Sequence, residues 1–278
     1  MKKFKYLSVV SLLFLCLSTS SEALEKTVEI LPTNSLITSV YNHAYQENYT
    51  PDSLTTILNS AVNSYVLLEP DDITAEDIIS IKKNNNIVSA YISIGTAEKW
   101  RADFASLTPY ITQSQWAEWQ DEYFFKTSLL SISKIMKSRI DKISKLGFDW
   151  IEFDNMDFAF DATNRLRYNI QITQDDAIKY YNNLCNYAHK KGLKVMAKNT
   201  FRNIEQFDGI TLESYDYLSN WWDNENLKAF IKQSKLAVIV HYNDTNPPQT
   251  YLNYTNIYGE NLLIIIESNA LKSYVHFN

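Results

Sequence analysis

Lys145-Leu-Gly-Phe-Asp-Trp-Ile-Glu-Phe-Asp-Asn-Met-Asp157 places the acids Asp149, Glu152, Asp154 and Asp157 in and just after a strand-like run. Upstream, Ile135, Met136, Ile140, Ile143 and Leu146 recur at helical spacing, and Gly147 suits the left-handed residue that closes a helix. A strand is therefore expected from Phe148. Because side chains alternate along a strand, Phe148, Trp150, Glu152 and Asp154 share one face, and Asp149, Ile151, Phe153 and Asn155 the other. An apolar strand that turns acidic at its C-terminal end is the pattern of a barrel or doubly wound sheet where it meets a ligand. The plain alternative is a strand running into a solvated acidic turn.

The same pattern recurs along the chain. Apolar runs begin near residues 36, 64, 87, 148, 193, 207, 236 and 262, separated by helical or long loop segments. Helices are expected from Ile73 to Lys83 with Thr74 as cap, Ser131 to Leu146, Thr173 to Lys191 with Gly192 as stop, and Asn224 to Gln233. The stretch after Gly95, with Trp100, Trp116, Trp119 and Tyr123, reads as long loops of the kind that carry binding residues. Near-continuous apolar strands imply a parallel sheet covered on both faces, and eight of them close a barrel. The expected architecture is α/β, a single-domain (β/α)8 TIM barrel over residues 24–278.

The basic start Met1-Lys-Lys-Phe-Lys5, the apolar run Leu7 to Leu17 and the small residues before Ala23 read as a signal peptide over residues 1–23. A secreted or periplasmic protein is expected. The run is too short for a stable bilayer span, so no membrane insertion is expected after cleavage. Cleavage leaves Cys185 as the single cysteine, with no internal disulfide and a mid-helix position that points to burial. The formal charge of -6 becomes more negative once Lys2, Lys3 and Lys5 leave with Glu22. Such a surface argues against nucleic acid and suits a cationic partner. With 19 Tyr and 6 Trp, some aromatic rings are available to stack on carbohydrate. The sequence has no glycine-rich phosphate loop, His-Glu-x-x-His motif, zinc-spaced Cys/His cluster or Gly-x-Ser-x-Gly elbow. No metal or cofactor is expected, and the protein is expected to be a monomer.

If the strand ends share one rim, Tyr91, Gly95, Glu152, Asp154, Asn155, Asp157, Lys198, Asn199, Glu213, His241, Tyr242 and Glu267 converge there. Asp154 and Glu213 come from different strands, so they can flank a glycosidic bond. One carboxyl then protonates the leaving oxygen while the other attacks the sugar or activates water. Lys198 beside them would keep one ionised and push their acidities apart, or would simply neutralise buried acids.

The set Tyr91-Ile-Ser-Ile-Gly95 with Trp100-Arg101, Gly147-Phe-Asp-Trp-Ile-Glu-Phe-Asp-Asn-Met-Asp157, Gly192-Leu-Lys-Val-Met-Ala-Lys-Asn199 and Phe207-Asp208 with Glu213 resembles glycoside hydrolase family 114. The resemblance spans about Tyr91 to Glu267 and implies a (β/α)8 endo-α-1,4-polygalactosaminidase acting on amino-sugar polysaccharide. It makes Asp154 and Glu213 the catalytic pair, with Asp157, Lys198 and Asn199 shaping the subsites. Tyr91, Trp100, Arg101, Glu152, Asn155, Tyr242 and Glu267 are further candidates for substrate binding. The sequence departs from the family pattern at Met156, where valine is usual, and at Leu212-Glu-Ser-Tyr215, where Asn-Glu-Gln-Cys is usual. Two other readings remain: a non-catalytic barrel that binds polysaccharide through Trp100, Trp116, Trp119, Trp221 and Trp222, and a hydrolase of another sugar polymer.

Overall fold

The computed structural model describes residues 37–44, 52–116, 119–126, 129–216, 224–233, 235–242, 244–259, 262–267 and 274–277. The segment read as a signal peptide, Trp221 and Trp222 lie outside the described residues. The strands are β1 (Ser39–Asn42), β2 (Ser64–Leu68), β3 (Ile87–Ser93), β4 (Thr96–Glu98), β5 (Ile111–Gln115), β6 (Glu122–Phe125), β7 (Trp150–Asp154), β8 (Lys194–Lys198), β9 (Gly209–Glu213), β10 (Leu236–Tyr242), β11 (Leu262–Glu267) and β12 (Tyr274–His276). In the large sheet the order is β1-β2-β3-β7-β8-β9-β10-β11-β12, parallel throughout except for the antiparallel β12. Its eight parallel strands fall on the eight apolar runs. β1 lies against β11, and His276 of β12 donates from Nδ1 to the Val40 carbonyl of β1, so the sheet closes as a (β/α)8 barrel.

Two cores divide the apolar residues. Inside the barrel, Tyr65, Leu67, Tyr91, Trp150, Met196, Val238 and Ile265 pack together. Gly209 makes room for this layer, since a Cβ there would lie 2.1 Å from Met196 Sδ. The outward faces pack under helices such as Ala75–Lys82, Leu129–Leu146 and Gln174–Lys190. The first of these starts at Thr74 with a reciprocal capping box to Asp77, and the third has Thr173 accepting from the Asp176 amide. Cys185 is buried in that third helix, donates to the Gln206 carbonyl at 3.2 Å, and burial pushes its thiol up to about 12. It is an inert packing residue at neutral pH.

The stretch after Gly95 differs from the expected loops. It forms a second, antiparallel sheet in the order β4-β6-β5, mounted over the end of β3. Gly95 is the joint, because a Cβ there would sit 1.9 Å from the Asn155 carbonyl oxygen.

Candidate active site

The three strands that supply the central side chains end in the same way. Asp154 of β7, Lys198 of β8 and Glu213 of β9 are the last residues of their strands. Asn155, Asn199 and Ser214 follow with φ of 66°, 54° and 51°. Asparagine tolerates this left-handed turn better than most residues, and the chain leaves each strand sharply behind its functional side chain.

These ends converge on one ammonium. Lys198 Nζ lies 2.9 Å from Asp154 Oδ2 and 3.0 Å from Glu213 Oε2, and its side chain is only 4% exposed. Tyr91 donates to Asp154 Oδ2 at 3.0 Å, and the Asn155 amide donates to Oδ1 at 2.7 Å. Across the cation, Tyr242 donates to Glu213 Oε1 at 2.6 Å and Asn199 Nδ2 donates to Oε2 at 3.1 Å. Asn199 Oδ1 also accepts from the Glu213 amide, so this asparagine holds both the backbone and the side chain of the acid. Asp154 and Glu213 thus stand side by side at the C-terminal ends of their strands.

The environment separates the two carboxyls. Burial raises Asp154 above its ordinary value and the like charge of Glu213 adds to this, while Lys198 opposes it. Burial also acts to raise Glu213, but Lys198 and the hydrogen bonds from Tyr242 and Asn199 outweigh it, and the result is below the ordinary value. Both phenols are pushed well up by burial, so Tyr91 and Tyr242 stay protonated as donors. Asp157 completes the acidic side. Its Oδ1 is enclosed without a hydrogen-bond partner, and burial next to Asp154 lifts the carboxyl from 3.8 to about 8.

The elevated Asp157 has a consequence for stability. The folded protein binds this proton more tightly than the unfolded chain, so the contribution is complete below about pH 3.8 and declines as pH rises toward about 8. Asp157→Asn, a permanently neutral mimic, is expected to gain on the parent across that window. Thermal melts of both proteins from pH 4 to 8 read the difference, and parallel curves would contradict the assignment.

The remaining candidates occupy different depths. Glu152 is fully enclosed one interior layer below Asp154 and accepts from Thr211 Oγ1. Glu267 is 1% exposed beside Tyr242 and Tyr274. Arg101 is also buried, with its guanidinium engaged by Glu98, Glu69 and Asp71, so it ties β4 to the end of β2. Trp100 next to it stands 59% exposed, whereas Trp116 packs against Phe124 and Phe158. Asn155 is buried, and its Nδ2 reaches Ser93 Oγ, Thr96 Oγ1 and Glu122 Oε1. Sequence reasoning passed over Glu122, Thr96 and Ser93, which only the second sheet brings to Asn155.

A polar cavity of about 330 Å³ opens beside Tyr242, lined by Ser214, Asp216, His241, Thr250 and Asn253 among others. A larger groove lies between helices Leu129–Leu146 and Gln174–Lys190, away from the acid pair. Among the described residues no group of three or more His, Cys, Asp or Glu side chains is arranged to hold a metal ion, and no helix is long and apolar enough to cross a membrane.

Two rim acids joined by a lysine on a (β/α)8 barrel are an arrangement that glycoside hydrolysis can use. The model of glycoside-hydrolase family GH114 matches residues 42–277, and the chain belongs to that family. It is similar in fold to Aspergillus fumigatus Ega3, solved in complex with galactosamine, with a TM-score of 0.68 and 17% identity over 87% of this chain and 94% of that one. The glycoside hydrolase domain of PelA from Pseudomonas aeruginosa gives a TM-score of 0.63 and 17% identity, covering 85% of this chain and 97% of that one. Among curated proteins, the uncharacterized protein MJ1477 of Methanocaldococcus jannaschii is 32% identical over 146 residues, which is 51% of this chain and 40% of that protein.

Proposed function

We propose that the protein is a secreted or periplasmic endo-acting hydrolase of α-1,4-linked, galactosamine-containing polysaccharide, with Asp154 and Glu213 as its catalytic pair. The observation that carries this reading is the shared lysine: one ammonium bonded to two carboxylates on different strands of one rim. One carboxyl gives its proton to the glycosidic oxygen as the C–O bond breaks, and the other attacks the anomeric carbon or activates the water that does. The two oxygens that share Lys198 stand no more than about 6 Å apart, so both carboxyls reach one bond. Ega3, the fold relative, was solved with galactosamine bound, and the acidic cleft and formal charge of -6 suit a polymer carrying free ammonium groups.

Reducing-end release from deacetylated and fully acetylated galactosaminan tests the reading. Preferential cleavage of the deacetylated polymer into internal fragments is expected, and proton NMR of the early products reads whether the anomeric configuration is retained or inverted. Binding without cleavage would leave a carbohydrate-binding barrel instead.

Trp100 gives a second handle on the polymer. It is exposed on a rim segment anchored by Arg101, so its ring is free to stack on a sugar. Trp100→Ala is expected to raise KM by about 2- to 10-fold, as the loss of one aromatic contact of 0.5–1.5 kcal/mol implies. Folding stability should change by less than about 0.5 kcal/mol. Paired kinetics and denaturation check this, and an equal loss of both would assign Trp100 to packing.

A further inference from the structure

The second sheet places one buried acid, Glu122, against the loop that carries Asp154. Glu122 is 4% exposed, lies on β6, and accepts at Oε1 from Thr96 Oγ1 of β4 and, at 2.8 Å, from Asn155 Nδ2. Asn155 sits with φ of 66°, and its backbone amide is the donor that fixes Asp154 Oδ1 at 2.7 Å. The peptide that carries this amide is held at its other end by the Ile94 and Gly95 amides donating to the Asp154 carbonyl, and the Asn155 carbonyl that follows is pressed against Gly95. The chain of contacts therefore runs from Glu122 through the Asn155 side chain and backbone to Asp154.

We propose that Glu122 is a positioning residue for the glycosidase reaction, holding Asn155 in its left-handed turn so that the Asn155 amide fixes the Asp154 carboxylate. Three points support this. Asparagine tolerates the left-handed turn but does not dictate it, so the contacts of its side chain help decide whether the turn holds. Of the three acceptors around Asn155 Nδ2, Glu122 is the nearest, with Ser93 at 3.0 Å and Thr96 at 3.2 Å. Burial and the like charge of Glu98 lift Glu122 from 4.5 to about 8, so at neutral pH it serves as a neutral acceptor and adds no charge beside Asp154. The inserted sheet thus does more than wall the cleft.

The proposal rests on the glycosidase reading, and the test separates the two. Glu122→Gln keeps a neutral acceptor and should hold kcat within about threefold of the parent. Glu122→Leu and Asn155→Gly, the latter tolerant of positive φ, should each lower kcat by about 10- to 100-fold with KM nearly unchanged, the scale expected for a misplaced catalytic group. The double variant should lose no more than the worse single one, because both break the same chain. Multiplying losses, or a Glu122→Gln enzyme as poor as Glu122→Leu, would overturn the proposal. Crystal structures of Glu122→Gln and Asn155→Gly provide a readout independent of turnover and of whether Glu122→Leu folds. The Asp154 carboxylate should keep its place in the first and swing away from residue 155 in the second, and an unmoved Asp154 in Asn155→Gly refutes the idea even if the parent cleaves no galactosaminan.

Discussion

Asp154→Asn and Glu213→Gln should each remove most turnover, on the order of 10²- to 10⁴-fold for the loss of one acid, base or nucleophile. The structure predicts that the two variants differ in stability. Glu213 Oε1 faces the Tyr242 hydroxyl, which can rotate to accept, so a glutamine amide fits with its NH2 on that side while its oxygen still receives Lys198 and Asn199. Asp154 has no such option. Its Oδ1 faces a backbone N–H and its Oδ2 faces an ammonium, so either orientation of an asparagine sets donor against donor. Asp154→Asn should therefore cost about 1–3 kcal/mol of stability, the typical penalty of an unsatisfied buried group, while Glu213→Gln stays near the parent. Kinetics at matched folded fractions, with denaturant melts, measure both effects. A Glu213→Gln protein with near-normal turnover on every substrate of the parent would end the assignment.

The barrel was legible because each parallel strand is buried on both faces and so reads as a continuous apolar run between polar segments. The alternation in Trp150-Ile-Glu-Phe-Asp154 correctly put Glu152 and Asp154 on one face, yet sharing a face is not sharing a depth. Two residues along a strand are about 6.6 Å, a full interior layer, and that distance seals Glu152 beneath the cleft while Asp154 reaches it. Arg101 gave no sign of its burial, because Glu69 and Asp71 are about 30 residues away in sequence. The second sheet was missed for a related reason. Its strands are three to five residues long, β5 is the largely polar Ile-Thr-Gln-Ser-Gln, and its pairing with β6 is irregular, so no period of two stands out. Glu122 was hidden with it. The available hint was an acid set against Tyr123-Phe-Phe125, an aromatic run whose two phenylalanines are buried and beside which a charged side chain needs a partner.

Lys198→Met should have the other large effect, and it tests the electrostatics that the two acid variants leave in place. With the ammonium gone, Asp154 and Glu213 face each other in a buried site with phenol, amide and carboxamide donors but no shared cation. Removing one partner of a buried charge cluster typically costs 3–5 kcal/mol, unless a proton replaces the lost charge. A proton should do so here. Glu213, held below 4.5 in the parent chiefly by Lys198 working against burial, rises, and Asp154 rises further. The acid limb of kcat/KM should therefore move to higher pH, leaving the variant weakest in the acidic range where the parent retains an ionised Glu213. The sign of stability reverses as well. In the parent the lowered Glu213 contributes stability above pH 4.5 that is lost as pH falls through its folded value, whereas a raised carboxyl contributes stability at low pH that is lost as pH climbs. Lys198→Met should thus approach the parent in acid and fall behind it toward neutrality. Melts across pH 3 to 8 together with pH–rate profiles decide the matter, and a variant with unshifted limbs would mean that Lys198 orients the acids without setting their acidity.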